Sequence, residues 1–320
     1  MDGSGMCASR FGFFFVLFLG GLISGKVDGQ STSCATSVKL HHGVPFVRVM
    51  VNGKGPFNFI VDTGTNRAVI VSPSLAKVLG LPIVGETSLL DLSGKVRERV
   101  NEVAVDTVSV GGREFHPGRA LVHRNLATEG SYDGVLGFAL FQNALLTLDY
   151  PQHCMTIAEG SLGDDGNALP LVLSRVGPMT ALLVGNQAVM AVIDTGGGGL
   201  NLPESVARQV EFERSSEVMV REDTQVSTAY FRGGEIKGQL RLGAYVFKNP
   251  FVSIDGLIPF ATIGSAPLQD FAVTFDQRHG LIRFEAKKNA HSVERNQLPS
   301  WESAGEAGNL TALELPAGGR

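Results

Sequence analysis

Short apolar stretches rich in Val, Ile and Leu recur along most of the chain, separated by turns that contain Gly, Asn and Pro. In the first half this pattern predicts strands over Ser37 to Val51 and over Phe57 to Val61. It also predicts a short helix over Leu75 to Leu79, because Ser72-Pro73 precede this segment and Gly80 follows it. Strands dominate and helices are short, so the pattern favours an all-β fold.

The second half of the chain repeats the first. An apolar strand that runs into Asp62-Thr63-Gly64 is echoed 132 residues later by one that runs into Asp194-Thr195-Gly196. An apolar residue followed by glycine then recurs at Leu136-Gly137 and Ile263-Gly264, 127 residues apart. The five extra residues of the first half fall in the polar stretch His123 to Tyr132, where a surface loop absorbs them. A period this long indicates a duplicated domain, since solenoid repeats have periods of about 20 to 50 residues.

These patterns divide the chain into five segments. The predicted segments are a signal peptide (1–29), an N-terminal lobe (37–158), a linker (159–169), a C-terminal lobe (170–286) and a disordered tail (287–320). The linker is rich in Gly, Asp and Asn, and the tail lacks apolar periodicity.

Composition is that of a globular protein with room for two lobes. The chain has 320 residues, of which 43% are hydrophobic and 18% charged. Its formal net charge is −4 and it has no dense stripe of Lys and Arg, so nucleic-acid binding has no electrostatic support.

The first residues have the pattern of a secretory signal. Arg10 precedes an apolar run from Phe11 to about Ser24, and cleavage before Gln30 fits the small and aliphatic residues that precede it. The run is too short for a comfortable membrane span, and no stable span is expected elsewhere. We therefore expect a secreted or periplasmic protein, with an uncleaved N-terminal anchor as the alternative.

Two of the three cysteines belong to the mature chain. Cys7 lies in the predicted signal, while Cys34 precedes the first strand of the first lobe and Cys154 lies in its last. In an oxidising compartment one disulfide between them could close that lobe, and two separate thiols are the alternative.

A carboxylate at the end of a buried strand indicates a specific role, because desolvating a charge is costly unless the charge is paired or takes part in chemistry. Asp62 and Asp194, one from each half, are therefore predicted to face each other. Two carboxylates about 3 Å apart share one proton, so the pair acts as acid and base at once and needs no metal or cofactor.

The residues that follow each aspartate have mechanical roles. Gly64 and Gly196 allow a backbone approach that a side chain would forbid. Thr63 and Thr195 carry hydroxyls that can brace the two loops by hydrogen bonds to the backbone.

With both Asp-Thr-Gly motifs and both later apolar-glycine pairs, the chain resembles aspartic peptidases of the pepsin and retropepsin group over roughly residues 40–285. The resemblance implies two β-barrel lobes related by a pseudo-twofold axis, similar to retropepsins fused in tandem. It also implies an aspartic endopeptidase with Asp62 and Asp194 as catalytic residues, acting as a monomer on a peptide or protein bound between the lobes.

Two departures from the family pattern leave an alternative open. Thr65 supplies the hydroxyl that pepsins place after the triplet, but Gly197 does not. No tyrosine occupies the usual flap position; the flap candidate is the turn around Ser93 and Gly94, with Arg232-Gly233-Gly234 as its counterpart in the second lobe. The alternative function is a peptide-binding module of this fold that is catalytically weak or inactive.

Overall fold

The computed structural model describes residues 34–90, 96–123, 132–163, 166–213, 218–223, 228–256, 258–286 and 293–295. These residues form two β lobes with a few short helices, so the prediction of an all-β fold with two lobes is confirmed. The predicted signal peptide lies outside the described residues, as does the predicted tail apart from 293–295.

The N-terminal lobe is built from thirteen strands among the described residues. They are β1 (Thr36–Ser37), β2 (Lys39–His41), β3 (Val44–Val51), β4 (Lys54–Asp62), β5 (Val69–Val71), β6 (Ile83–Leu90), β7 (Val96–Val105), β8 (Val108–Val110), β9 (Arg113–Phe115), β10 (Gly118–Val122), β11 (Gly134–Gly137), β12 (Leu145–Asp149) and β13 (Cys154–Ala158). The single strand predicted over Ser37 to Val51 is broken, because His42 and Gly43 adopt positive φ and turn the chain between β2 and β3.

The C-terminal half repeats this series. Its strands are β14 (Ala168–Pro170), β15 (Val172–Ser174), β16 (Gly177–Val184), β17 (Gln187–Ile193), β18 (Leu200–Pro203), β19 (Val218–Asp223), β20 (Thr228–Glu235), β21 (Gln239–Leu242), β22 (Tyr245–Lys248), β23 (Phe251–Asp255), β24 (Ala261–Ile263), β25 (Phe271–Asp276), β26 (Leu281–Ala286) and β27 (Val293–Arg295).

Each lobe has its own sheet. The first has the order β6-β7-β10-β5-β11-β4-β3-β8-β9, with β2 paired to β3. The second has the order β19-β20-β23-β18-β24-β17-β16-β21-β22-β27, with β15 paired to β16. In each lobe, the strand that leads to an Asp-Thr-Gly triplet lies inside its sheet with a parallel neighbour, and parallel strands are typically buried.

A third sheet joins the two lobes. Its order is β1-β13-β12-β25-β26-β14, so each half contributes three equivalent strands. At the centre Thr147 of β12 lies opposite Thr274 of β25, its own repeat counterpart, and their hydroxyls are 2.9 Å apart. Two equivalent residues meet in this way only on a twofold axis, so the pseudo-twofold axis of the duplication passes between these threonines.

Helix α1 (Pro73–Leu79) follows from its caps. The Ser72 hydroxyl accepts a hydrogen bond from the N–H of Leu75 at 3.1 Å, and Gly80 ends the helix in the left-handed conformation. The repeat counterpart α2 (Glu204–Ala207) has Pro203 at its N-cap and no glycine at its end, and it is shorter than α1.

Two further short helical segments complete the described structure. Helix α3 (Ser265–Leu268) follows the apolar-glycine pair of the second lobe, and a 3-10 helix (Phe138–Phe141) follows that of the first. Within the described part of the chain, no helix has the length and apolar character that crossing a bilayer requires.

The structure joins Cys34 and Cys154 in a disulfide that closes a loop of 120 residues. We expect the double replacement of both by serine to lower the free energy of unfolding by about 2 to 5 kcal/mol, because a crosslink of this span restricts the unfolded chain. Urea titration with and without reductant measures the effect. The expectation fails if the wild-type midpoint is the same in both conditions.

Candidate active site

The two Asp-Thr-Gly triplets lie at the ends of equivalent strands. β4 ends at Asp62, and β17 ends directly before Asp194. The residues that follow, 62–67 and 194–199, are called here the first and second aspartate loops. Each strand pairs in parallel with a later strand of its own lobe: Gly137 of β11 lies opposite Asp62, and Ile263 of β24 lies opposite Ile193. The apolar-glycine pairs found in the sequence therefore support the loops that carry the carboxylates.

Close packing explains the glycine in each supporting pair. A Cβ at Gly137 would overlap the carbonyl oxygen of Arg67, and a Cβ at Gly264 would lie 2.7 Å from that of Gly199. These are backbone atoms of the aspartate loops, so they have little freedom to move. The main-chain N–H of Gly264 also donates to Gly199 at 2.7 Å. The supporting strands thus reach the loops with no space for a side chain.

Two threonines tie the loops of the two lobes together. The hydroxyl of Thr63 donates to the carbonyl oxygen of Ile193 at 2.6 Å, and that of Thr195 donates to the carbonyl oxygen of Val61 at 2.7 Å. The main-chain N–H of each threonine also donates to the hydroxyl of the other, at 3.0 and 3.1 Å. Both threonines are fully buried. This reciprocal set of bonds fixes the distance between the loops.

The carboxylate of each lobe packs against a glycine of the other. A Cβ on Gly64 would lie 2.5 Å from Cγ of Asp194, and a Cβ on Gly196 would lie 2.5 Å from Cγ of Asp62. Because these glycines have no side chains, the two carboxyl groups have space to meet. The carboxyl groups are hydrogen-bonded to each other. The structure therefore brings Asp62 and Asp194 into one site.

The two aspartates receive different hydrogen bonds from their own loops. Asp62 accepts the N–H of Gly64 at 2.8 Å and the hydroxyl of Thr65 at 2.7 Å. Asp194 accepts main-chain N–H groups, including that of Gly197 at 3.0 Å, and Gly197 has no hydroxyl to add. The site is thus symmetric in backbone and asymmetric in side-chain donors.

Residues 47–140 match a family model described as Aspartyl protease. Over this range the chain is similar to aspartyl proteases. The matched part contains the first aspartate loop and its supporting Gly137, and the second aspartate loop is bound to it by the threonine hydrogen bonds. None of the curated proteins compared with the chain matches it.

Only part of the candidate flap segments lies within the described residues. Strands β6 and β7 pair antiparallel, and Ser93 and Gly94, which come between them in sequence, lie outside the described residues. In the second lobe, the interpretation of Arg232-Gly233-Gly234 as a flap turn was wrong. These residues lie inside β20, paired to β19 and to β23, so their backbone is part of the sheet.

Burial and a neighbouring charge raise the pKa of one of the two carboxyl groups. The pKa of Asp194 is raised well above its ordinary value, first by burial, then by the negative charge of Asp62 and the hydrogen bond between the two side chains. The N–H groups of Gly197 and Gly196 act against this rise but do not cancel it. The raised pKa therefore favours the protonated form of Asp194.

This raised pKa makes the stability of the folded chain depend on pH. Asp194 binds its proton more readily in the folded than in the unfolded chain, so its contribution is full below the ordinary pKa of 3.8 and is lost as pH rises through the raised pKa of the folded state. The Asp194→Asn substitution removes this loss of stability at higher pH, because the asparagine side chain has no proton to give up. We expect the variant to melt several degrees higher than wild type at pH 7 and to differ much less at pH 3. Equal differences at both pH values would contradict this.

The missing hydroxyl at Gly197 provides a second test of the pair. A Cβ at this position would lie 3.0 Å from Oδ2 of Asp194, so Gly197→Ser requires a shift of a few tenths of an ångström and then offers a donor like that of Thr65 to Asp62. A hydroxyl that donates to the ionised carboxylate lowers the pKa of the pair. We expect the pH–rate profile of the variant to move to lower pH, by about one pH unit. A profile that stays in place or moves up would count against it.

Two turns cross between the lobes and contact the opposite lobe beside its aspartate loop, a feature that the sequence did not reveal. The side-chain amide of Asn66 donates to the carbonyl oxygen of Arg175 at 2.9 Å. The side-chain amide of Gln269 donates to the carbonyl oxygen of Gly43 at 3.2 Å. Only the repeat could have indicated these contacts, because 43 and 175 are 132 residues apart. The first aspartate loop is thereby bound directly to the other lobe, while the turn at Gly43 is bound to the segment that follows α3.

Ser265 is a further residue that the sequence analysis missed. Its hydroxyl lies 2.6 Å from the carbonyl oxygen of Gly197 and 3.2 Å from that of Thr195. It therefore holds the second aspartate loop, which has glycine where the first has Thr65. Its place directly after Ile263-Gly264 was the available signal.

Proposed function

We propose that the chain is a secreted aspartic endopeptidase that hydrolyses peptide bonds with the Asp62/Asp194 pair. The observation that carries the proposal is the meeting of two hydrogen-bonded carboxyl groups, one from each lobe, inside reciprocal threonine bonds. Such a pair supplies an acid and a base at one point and requires no other group. The match to the aspartyl protease family supports the same reaction class.

We assign the roles in this proposal from the asymmetry of the pair. Asp194 carries the shared proton, since burial and its neighbour raise its pKa. Asp62, held by Gly64 and the Thr65 hydroxyl, is the base. It accepts a proton from a water molecule as the water oxygen attacks the scissile carbonyl, while Asp194 donates its proton to the carbonyl oxygen.

Breakdown of the tetrahedral intermediate reverses the proton transfers. Asp62 returns the proton to the departing amine nitrogen, and the carbon–nitrogen bond breaks. Asp194 takes back a proton from the hydroxyl that becomes the new carboxyl group. The pair ends in its starting protonation state, so each cycle consumes one water and one peptide bond.

The test of this proposal is cleavage of a mixed peptide library between pH 3 and pH 8, with and without pepstatin. We expect cleavage where the pair holds one proton and one charge, a range that the raised pKa of Asp194 extends upward from acidic pH. If folded protein cuts no peptide at any pH, the endopeptidase proposal fails and the catalytically inactive peptide-binding module is favoured.

Secretion has a separate test. Expression of the whole chain in a secreting host should release a protein whose first residue is Gln30, as the signal pattern predicts. Retention of the full-length chain in the membrane fraction would favour the uncleaved anchor.

A further inference from the structure

Two arginines, one from each lobe, lie at the first aspartate loop. Arg67 is part of this loop, and Arg175 contacts it from the other lobe. Arg67 follows Asn66 in sequence, and Arg175 is bound to Asn66 through its carbonyl oxygen at 2.9 Å. Both arginine side chains are exposed. Asn66 itself directly follows Thr65, whose hydroxyl binds Asp62, so Arg67 is five residues from this carboxylate and Arg175 contacts the residue before Arg67.

The turn that carries Arg175 is packed firmly on this loop. A Cβ at Gly177 would lie 3.3 Å from the carbonyl oxygen of Thr63 and 3.5 Å from Cα of Gly64. Gly177 also has φ +123°, a conformation that glycine tolerates and other residues rarely adopt. The position of Arg175 beside the site is therefore fixed by the fold.

Neither arginine has an ionic partner in the described structure. Among the described residues, no carboxylate lies within 4.0 Å of either guanidinium, although other surface arginines such as Arg119 and Arg208 pair with glutamates. The chain as a whole is acidic, with a formal net charge of −4. Two unpaired cations that the fold brings to one place favour an incoming anion.

The two positions equivalent to these arginines in the repeat carry no charged side chain. The repeat counterparts of Arg67 and Arg175 are Gly199 and Gly43, at the 132-residue offset. A peptide that lies across both aspartate loops would therefore meet two arginines on one side of the scissile bond and glycines on the other.

We propose that Arg67 and Arg175 form a carboxylate-binding subsite that selects substrates with Asp or Glu within about three residues of the scissile bond, on one side only. This inference rests on the proposed endopeptidase function and specifies its substrate class. Arginine suits the role because its planar guanidinium binds carboxylates with two parallel hydrogen bonds.

The test compares kcat/KM for peptide pairs that differ only by Glu or Gln at each position around one cleavage site, at pH 6. We expect wild type to prefer Glu by about tenfold on one side of the bond, the effect of two exposed charge pairs. Arg67→Gln with Arg175→Gln should bring the ratio to within about twofold of one. Arg67→Glu should prefer a matching peptide with Lys at that position over the Glu peptide. At pH 3, where the substrate carboxyl is protonated, the wild-type ratio should also approach one.

Lys54→Gln is the matched control. Lys54 is exposed at the start of β4, about 25 Å from Asp62 at the end of the same strand, so it should leave the Glu-to-Gln ratio as in wild type. A wild type that shows no preference, or a preference that persists in the double arginine variant, overturns the proposal.

Peptide binding to Asp62→Asn, measured by fluorescence polarisation, separates this inference from the proposed function. If no peptide is cut yet the Glu peptide binds more tightly than the Gln peptide, and the arginine variants abolish this difference, the endopeptidase proposal fails and the subsite stands. If peptides are cut but bind equally, the subsite fails and the endopeptidase stands.

Discussion

Replacing Asp62 or Asp194 with asparagine is expected to reduce kcat/KM for peptide hydrolysis by about a thousandfold or more. Either change removes the shared proton and leaves the site without a base or without an acid, although the shape of the loops stays the same. Asparagine keeps the volume of the side chain and its capacity to accept the N–H of Gly64 or Gly197, so folding should persist. The measurement is cleavage of a fluorogenic peptide over pH 3 to 8.

Asp149→Asn is the control for this prediction. Asp149 is a partly buried aspartate that accepts the N–H of Gln152 at 3.0 Å at the end of β12, outside the site. The same chemical change there should leave the rate within about threefold of wild type. Residual activity above a tenth of wild type in Asp62→Asn or Asp194→Asn would show that the pair is not the catalytic centre.

The second large effect is expected for Gly64→Ala. The new Cβ would lie 2.5 Å from Cγ of Asp194 and 2.5 Å from its Oδ1, and neither side can yield because Thr63 and Thr195 hold the two loops together. Relief requires the lobes to separate at their most tightly bonded point. We expect the free energy of unfolding to fall by about 3 kcal/mol or more, which lowers the melting temperature by roughly 6 to 12 °C.

Gly198→Ala provides the matched control for Gly64→Ala. It introduces the same methyl group in the second aspartate loop, where a Cβ meets no atom within 4 Å and φ is not in the left-handed range. Its melting temperature should stay within about 2 °C of wild type. If Gly64→Ala is as stable as Gly198→Ala, the close approach of the two loops is not a feature of the folded protein.

Much of the site was predictable because its requirements are local. Gly137 and Gly264 must be glycine because they contact the aspartate loops of their own lobes. Such a local requirement can be recognised in the sequence as a glycine at a set position. Because the domain is duplicated, each of these motifs occurs twice, and the two equivalent aspartates could be identified as a pair. The fold class followed from the same strands and turns, since their alternation and length are also local properties.

Errors arose where a segment's form depends on its neighbours. The strand predicted over Ser37 to Val51 is interrupted because the turn at His42-Gly43 packs against the second lobe through Gln269. Arg232 to Gly234 resembled a turn in composition, but pairing to β23 holds them in a strand. Neither partner is near in sequence, so local propensity gave no indication of the outcome.

The sequence by itself determined that the chain is a duplicated β protein and that two aspartates end equivalent strands, because strand periodicity and the repeat are encoded residue by residue. Only the tertiary structure decided that burial raises the pKa of Asp194, that Asn66 of one lobe binds Arg175 of the other, and that Cys34 reaches Cys154. These features depend on burial and on distances between segments that are remote in sequence. Both quantities exist only after residues far apart in the chain have been brought together.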